Sequence, residues 1–180
     1  VALRAAPDAG NTLTPDRGTT LVVAALGAGQ TLAWASSYYL PALLAQPMAA
    51  ELGTTPVTIF GAFSLALVVS ALLGPRAGRA IDRHGGRLVL AATNLLFALG
   101  LVMLATCTGT IGLFLAWAVI GIAMGSGLYD AAFAALVRVY GQAARGPITG
   151  ITLIAGFAST IGWPLTGWLE ASFGWRQACL

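Results

Sequence analysis

The chain has 180 residues, 58% of them hydrophobic and only 8% charged, with a mean hydropathy of +0.85. Soluble domains carry about 25% charged residues, so six acids and nine arginines cannot build the polar shell that a water-soluble core requires; the chain reads as an integral membrane protein. The net charge of +3 does not point to nucleic acid, because the arginines sit at the ends of apolar runs and not on one basic face.

Residues 1–18 are polar and mixed, and read as a flexible cytoplasmic leader, not a cleaved signal. Span one is expected over about 19–45, carrying Gln30, Trp34, Ser36, Ser37, Tyr38, Tyr39 and Pro41. A polar loop at 46–55 leads into Thr55 and Pro56, a helix start with Thr55 as the cap and Pro56 in the first turn. Span two follows over 56–74 and span three over 88–107, each free of charged residues and long enough to cross a ~30 Å hydrocarbon core. Between them, Arg76 to Arg87 read as a short charged hairpin loop. Thr108 and Gly109 turn the chain into span four, over about 110–137. A second polar hairpin at 138–146 precedes span five, opened by Pro147 and ending near Glu170. A sixth span begins at about 174 and stops at Leu180, so the chain reads as a truncated piece of a longer protein.

With the leader in the cytoplasm, eight arginines (4, 17, 76, 79, 83, 87, 138 and 145) fall inside and only Arg176 outside. That asymmetry follows the positive-inside rule and places the N-terminus in the cytoplasm, the membrane being expected to be the bacterial inner (plasma) membrane. Cys107 and Cys179 have no metal-ligand spacing and read as inert buried thiols. Gly27-Ala28-Gly29 is no dinucleotide fingerprint, since no third glycine follows in register and no strand precedes it. Without a P-loop, metal cluster or nucleophile triad, neither an enzyme nor a cofactor is expected.

Asp130 is the acid that stands out. It lies eight residues before Arg138, ~12 Å up the helix from the charged end, where a lone carboxylate needs water or a partner. It reads as a proton or substrate site, or else as a structural carboxylate bonded to Arg138, to Tyr or Ser on span one, or to a helix end. On span one, Gln30, Trp34 and Ser37 share a helical sector with Tyr38 at its edge, a polar aromatic stripe suited to a small solute. Gly121 and Gly125 lie on the opposite side of span four from Asp130, as a face for close helix packing. On span five, Gly156, Gly167 and the hydroxyls of Thr149, Thr152, Ser159 and Thr160 suggest another packing face, and Pro164 is expected to kink the helix.

The decapeptide Gly78-Arg79-Ala80-Ile81-Asp82-Arg83-His84-Gly85-Gly86-Arg87, set between spans two and three, resembles the signature of the major facilitator superfamily of secondary transporters. The resemblance implies an all-α fold, the N-terminal half of a two-bundle transporter. In it Gly78, Asp82, Arg83, Gly85 and Arg87 form a gating loop, with Asp82 facing a helix of a missing C-terminal bundle. It also implies a central cavity lined by spans one and four, which would hold Asp130. Tyr39-Leu40-Pro41, Phe63-Ser64-Leu65, Gly74-Pro75, Arg138-Val139-Tyr140 and Gly174-Trp175-Arg176 look like the monocarboxylate-porter branch. That branch has a basic residue in span one, whereas no Lys or Arg lies between 18 and 75 here, so a proton or a neutral or cationic solute suits the chain as well as an anion. The function expected is proton-coupled secondary transport of a small organic solute across the bilayer. The alternatives are an exporter of drugs or metabolites, and a truncated assembly protein that transports nothing.

Overall fold

The computed structural model describes residues 17–180, and no strand occurs among them. Residues 1–16 of the expected leader lie outside the described residues, while Arg17 already belongs to the first helix.

Span one is built from α1 (Arg17–Trp34), a wide π turn (Ala35–Tyr39) and α2 (Leu40–Glu51). Pro41 accounts for the wide turn. It has no N–H for the Ser37 carbonyl, and in a regular helix its ring would strike that carbonyl. The Ser36 and Ser37 hydroxyls bond back to the carbonyls of Leu32 and Ala33 at 2.7 and 2.5 Å. The helix runs on to Glu51, so the polar loop placed at 46–55 shrinks to residues 52–55. Gln46 and Pro47 both lie inside α2, and the chain turns only at Gly53.

Thr55 caps α3 (Pro56–His84): its Oγ1 accepts the Thr58 N–H at 3.4 Å, with Pro56 in the first turn. At 29 residues α3 is about 44 Å long, well beyond the hydrocarbon thickness. The hairpin loop expected at 76–87 is therefore corrected, because residues 75–84 are a helical extension and the turn is made by Gly85 alone, at φ 82°. Charge ends an apolar span but does not end a helix. What ends this one is a residue able to adopt positive φ.

Span three is α4 (Gly86–Thr106). Span four, expected as one helix, is broken into α5 (Thr110–Gly127) and α6 (Tyr129–Tyr140). A 3-10 turn (Gly141–Ala144) leads to span five, which is also in two pieces, α7 (Arg145–Gly156) and α8 (Ala158–Phe173). The interruption falls at Phe157, not at Pro164, which sits inside α8. The Phe157 N–H bonds the Ile154 carbonyl at 3.1 Å, a tight final turn that closes α7. A short α9 (Trp175–Ala178) follows.

Lipid is as apolar as leucine, so these helices associate through close packing and hydrogen bonds, without a gain from leaving water. The most extensive seam joins α3 and α5, where Gly121 lies against the Ala66 backbone and Gly125 against that of Ser70. Around this seam Leu44, Met48, Ile59, Leu113, Trp117 and Ile120 are fully buried. On span five the buried face is Ile151, Ala155, Ala158, Gly162 and Thr166, with Gly162 against Ala35 of span one. Gly156 and Gly167 have no atom within 4 Å of where a Cβ would stand, and the hydroxyls of Thr149 and Thr152 bond their own helix.

Alternating spans bring Arg17, Arg83, Arg87, Arg138 and Arg145, at helix starts and ends, to one end of the bundle, where Arg138 packs on Gly85. Arg176 lies at the other end, bonded to Glu51 and to the Ala105 carbonyl.

Candidate functional site

A cleft of about 290 Å³ opens where spans one, two and four meet, lined by Trp34, Tyr38, Ser70, Gly74, Gly125, Tyr129 and Asp130 among others. Gly74, Gly125 and Asp130 also line a second cleft, of about 410 Å³, that continues toward Ala77, Gly78, Ile81, Asp82 and Phe133. Asp130 stands at the junction. Its side chain is exposed, and none of the described residues bonds its carboxylate. Both acids of the clefts, Asp82 and Asp130, are without a basic neighbour in the lining.

Aromatic rings form one wall as a continuous ladder. Trp34 stacks on Tyr38 at 4.6 Å and meets Tyr129 at 5.3 Å, and Tyr129 stacks on Phe133 at 5.1 Å. From Tyr38 the ladder passes edge to face through Phe63 to the buried Trp117. Edge-to-face and offset stacks of this kind fix ring positions, and a ring face next to a carboxylate suits a cation.

The stripe read from span one divides here. Trp34 and Tyr38 line the cleft, but Gln30 and Ser37 do not; Gln30 is 2% exposed and Ser37 is fully buried. Gln30 gives its side-chain N–H to the Gly127 carbonyl at 3.1 Å, and Ser37 bonds within its own helix. Ser70, Gly74 and Tyr129 enter the lining without having been read from the sequence as site residues. Ser70 and Gly74 were legible as the continuation of the Ala62, Ala66 series at every fourth residue of α3, all on the face that meets α5.

Of the decapeptide, Gly78 and Asp82 line the second cleft, while Arg83 and Arg87 are exposed. Gly85 is buried under Arg138, whose guanidinium crosses the turn. A larger groove of about 540 Å³ between α1, α4 and α6 is apolar except for Arg87 and Asn94, and has no acid or aromatic ring. Among the described residues no group of three or more His, Cys, Asp or Glu is placed to hold a metal ion.

A family model described as Major Facilitator Superfamily matches residues 26–180. The chain belongs to the major facilitator superfamily. This is a family of membrane transporters, and the all-helical bundle with its long apolar helices is in keeping with it. Two curated relatives from Mycobacterium tuberculosis, strains CDC 1551 / Oshkosh and ATCC 25618 / H37Rv, are each described as "Multidrug resistance protein B homolog". Each is 30% identical over 128 residues, which cover 71% of this chain and 24% of the relative. The chain thus matches about a quarter of the length of these relatives. No solved structure matches it.

Proposed function

We propose that this chain forms the N-terminal bundle of a proton-coupled exporter of neutral or cationic aromatic compounds. The observation that carries the reading is the cleft itself, in which one carboxylate, Asp130, stands beside a ladder of rings with no basic side chain in the lining. An anionic substrate would find no counter-charge in the lining of these two clefts. The motif-level likeness to the monocarboxylate-porter branch therefore stops short of substrate charge, while the name of the mycobacterial relatives supports export.

Asp130 takes the proton and the solute in turn. Protonated, it releases a cation; ionised, it attracts one. The clustering of Arg17, Arg83, Arg87, Arg138 and Arg145 at one end supports a cytoplasmic N-terminus in a bacterial inner membrane. A second bundle closes the clefts from the exposed side, with Gly78 and Asp82 at the seam, and the two bundles rock about the midplane.

The test is ethidium flux driven by a pH gradient, in proteoliposomes holding the full-length protein that carries these residues. Asp130→Asn is expected to abolish the dependence on the gradient. Undiminished proton dependence in that variant removes Asp130 from the mechanism. A deletion strain is expected to accumulate ethidium, and a strain that instead takes up less overturns the direction of transport.

A further inference from the structure

Span four breaks at a single residue. α5 ends at Gly127, Leu128 takes φ −78° and ψ −146°, and the helix starts afresh at Tyr129. Sharp interruptions of a helix come from proline, from Gly/Ser pairs, from π-bulges or from a side chain that inserts into the hydrogen-bond ladder. No proline lies between Thr110 and Tyr140; the run Gly125-Ser126-Gly127 makes the backbone here easy to interrupt, and a side chain from span one meets it at that point. The inserted group is visible: the Gly127 carbonyl, which in an unbroken helix would accept the Ala131 N–H, accepts the Gln30 amide at 3.1 Å from 97 residues away.

The surroundings hold this exchange in place. Gln30 is 2% exposed, and its Oε1 has no partner among the described residues, so the side chain is committed to the Gly127 contact alone. A Cβ on Gly127 would run into the Thr93 side chain, so the end of α5 is seated between span three and span one. One turn beyond Gln30, Trp34 contacts Tyr129 on the other side of the break at 5.3 Å between ring centroids. Span one thus grips span four both before and after Leu128.

The consequence falls on Asp130. In an unbroken span it would be a mid-helix residue. Because the helix restarts at Tyr129, Asp130 lies in the first turn of α6, beside N–H groups that have no partner within the helix and at the positive end of its dipole. That placement brings the carboxylate into the junction of the two clefts.

We propose that Gln30 is a positioning residue: it touches neither solute nor proton, and it keeps span four broken by occupying the Gly127 carbonyl, so that Asp130 sits at a helix start facing the cleft. This deepens the reading of Asp130 as the transport carboxylate, and rests on it. Span four is then an element with two arrangements, broken while Gln30 is engaged and continuous when it lets go.

Two near-isosteric variants of the full-length transporter separate this role from space filling. Gln30→Met fills the site without a donor, and is expected to lower kcat for ethidium at least tenfold at every pH with KM within twofold. Gln30→Glu has a donor only while protonated. Its flux relative to the unmodified protein is expected to be highest at low pH, where the carboxyl keeps its proton, and to fall as pH rises and the donor is lost. Hydrogen exchange across residues 127–132 is expected to slow in Gln30→Met as the ladder closes. A Gln30→Glu ratio that does not change with pH, an unchanged kcat in Gln30→Met, or unchanged exchange overturns the proposal, and the pH ratio decides it even if Gln30→Met does not fold. Asp130→Asn run alongside keeps the two readings apart. If it retains proton-driven flux the Asp130 reading fails, whereas loss in Asp130→Asn with a pH-independent Gln30→Glu ratio sinks only the positioning role.

Discussion

Glu51 and Arg176 meet at 2.7 Å across 125 residues of chain, and the pair fastens three helix ends at once. The other Glu51 oxygen accepts the Trp175 indole N–H at 2.5 Å, and Arg176 donates a further bond to the Ala105 carbonyl at the end of α4 while lying over the Trp175 ring. Span one, span three and α9 are thereby tied at the end of the bundle away from Arg17, Arg83, Arg87, Arg138 and Arg145.

The tie is acid-labile in a stated direction. The bonds from Arg176 and then Trp175 hold the Glu51 carboxyl below its ordinary 4.5. A group whose folded pKa is depressed contributes stability that is present above the unfolded value and is lost as pH falls through the folded one. Glu51→Gln is therefore expected to unfold at a lower temperature than the unmodified protein at pH 7, with the difference disappearing well below pH 4.5. Thermal unfolding in detergent at the two pH values checks it. Because the pair is partly exposed, the effect at pH 7 is expected to be small.

The seam between α3 and α5 is expected to tolerate no added volume. Gly121 and Gly125 lie so close to the Ala66 and Ser70 backbones that any Cβ must push the helices apart. Gly121→Val or Gly125→Val should cost about 1–3 kcal/mol by overpacking, read as a fall in unfolding temperature. Gly167→Ala is the control. With nothing within 4 Å, it removes a glycine from a helix interior and should be neutral or stabilising by up to about 1 kcal/mol.

These glycines also show how far the sequence was legible. The apolar runs, the Thr55-Pro56 helix start and the side of span four that packs closely all followed from periodicity and local chemistry, which short-range rules capture. The charged decapeptide did not, because a helix leaving the membrane persists until a residue such as Gly85 stops it, and charge alone does not mark that stop. The break at Leu128 was hidden for another reason. Its ligand, Gln30, is 97 residues away, and no local signal in Gly125-Ser126-Gly127 tells a packing face from an interrupted ladder. The same distance misassigned Gln30: a helical wheel groups it with Trp34, but which neighbour covers each member of a sector is decided by tertiary packing.

The turn at Gly85 offers a test with two separable parts. Its φ of 82° with ψ of 150° disfavours any residue with a Cβ, by about 1–3 kcal/mol, and the same Cβ would collide with the Arg138 guanidinium. Gly85→Ala should therefore cost more than the backbone term alone. In Gly85→Ala/Arg138→Ala the collision is gone and only the backbone cost remains, so the double variant should be less destabilised than the sum of the single ones. Strict additivity in thermal unfolding would show that Arg138 does not rest on this turn.

The ring ladder leads to the last expectation, which concerns affinity. Trp34 touches both Tyr38 and Tyr129, so its removal opens the wall at its middle and takes away the largest π-face in the lining beside Asp130. A cation over such a face gains about 0.5–2 kcal/mol, so Trp34→Ala should raise KM for ethidium about two- to thirty-fold. Trp34→Phe keeps a ring of weaker field and should fall between. A neutral aromatic solute of similar size should lose less than ethidium in Trp34→Ala, because only the cation draws on the ring's charge distribution. Equal losses for the two solutes would mean that the ladder acts as a shaped apolar wall, and that the charge preference rests on Asp130 alone.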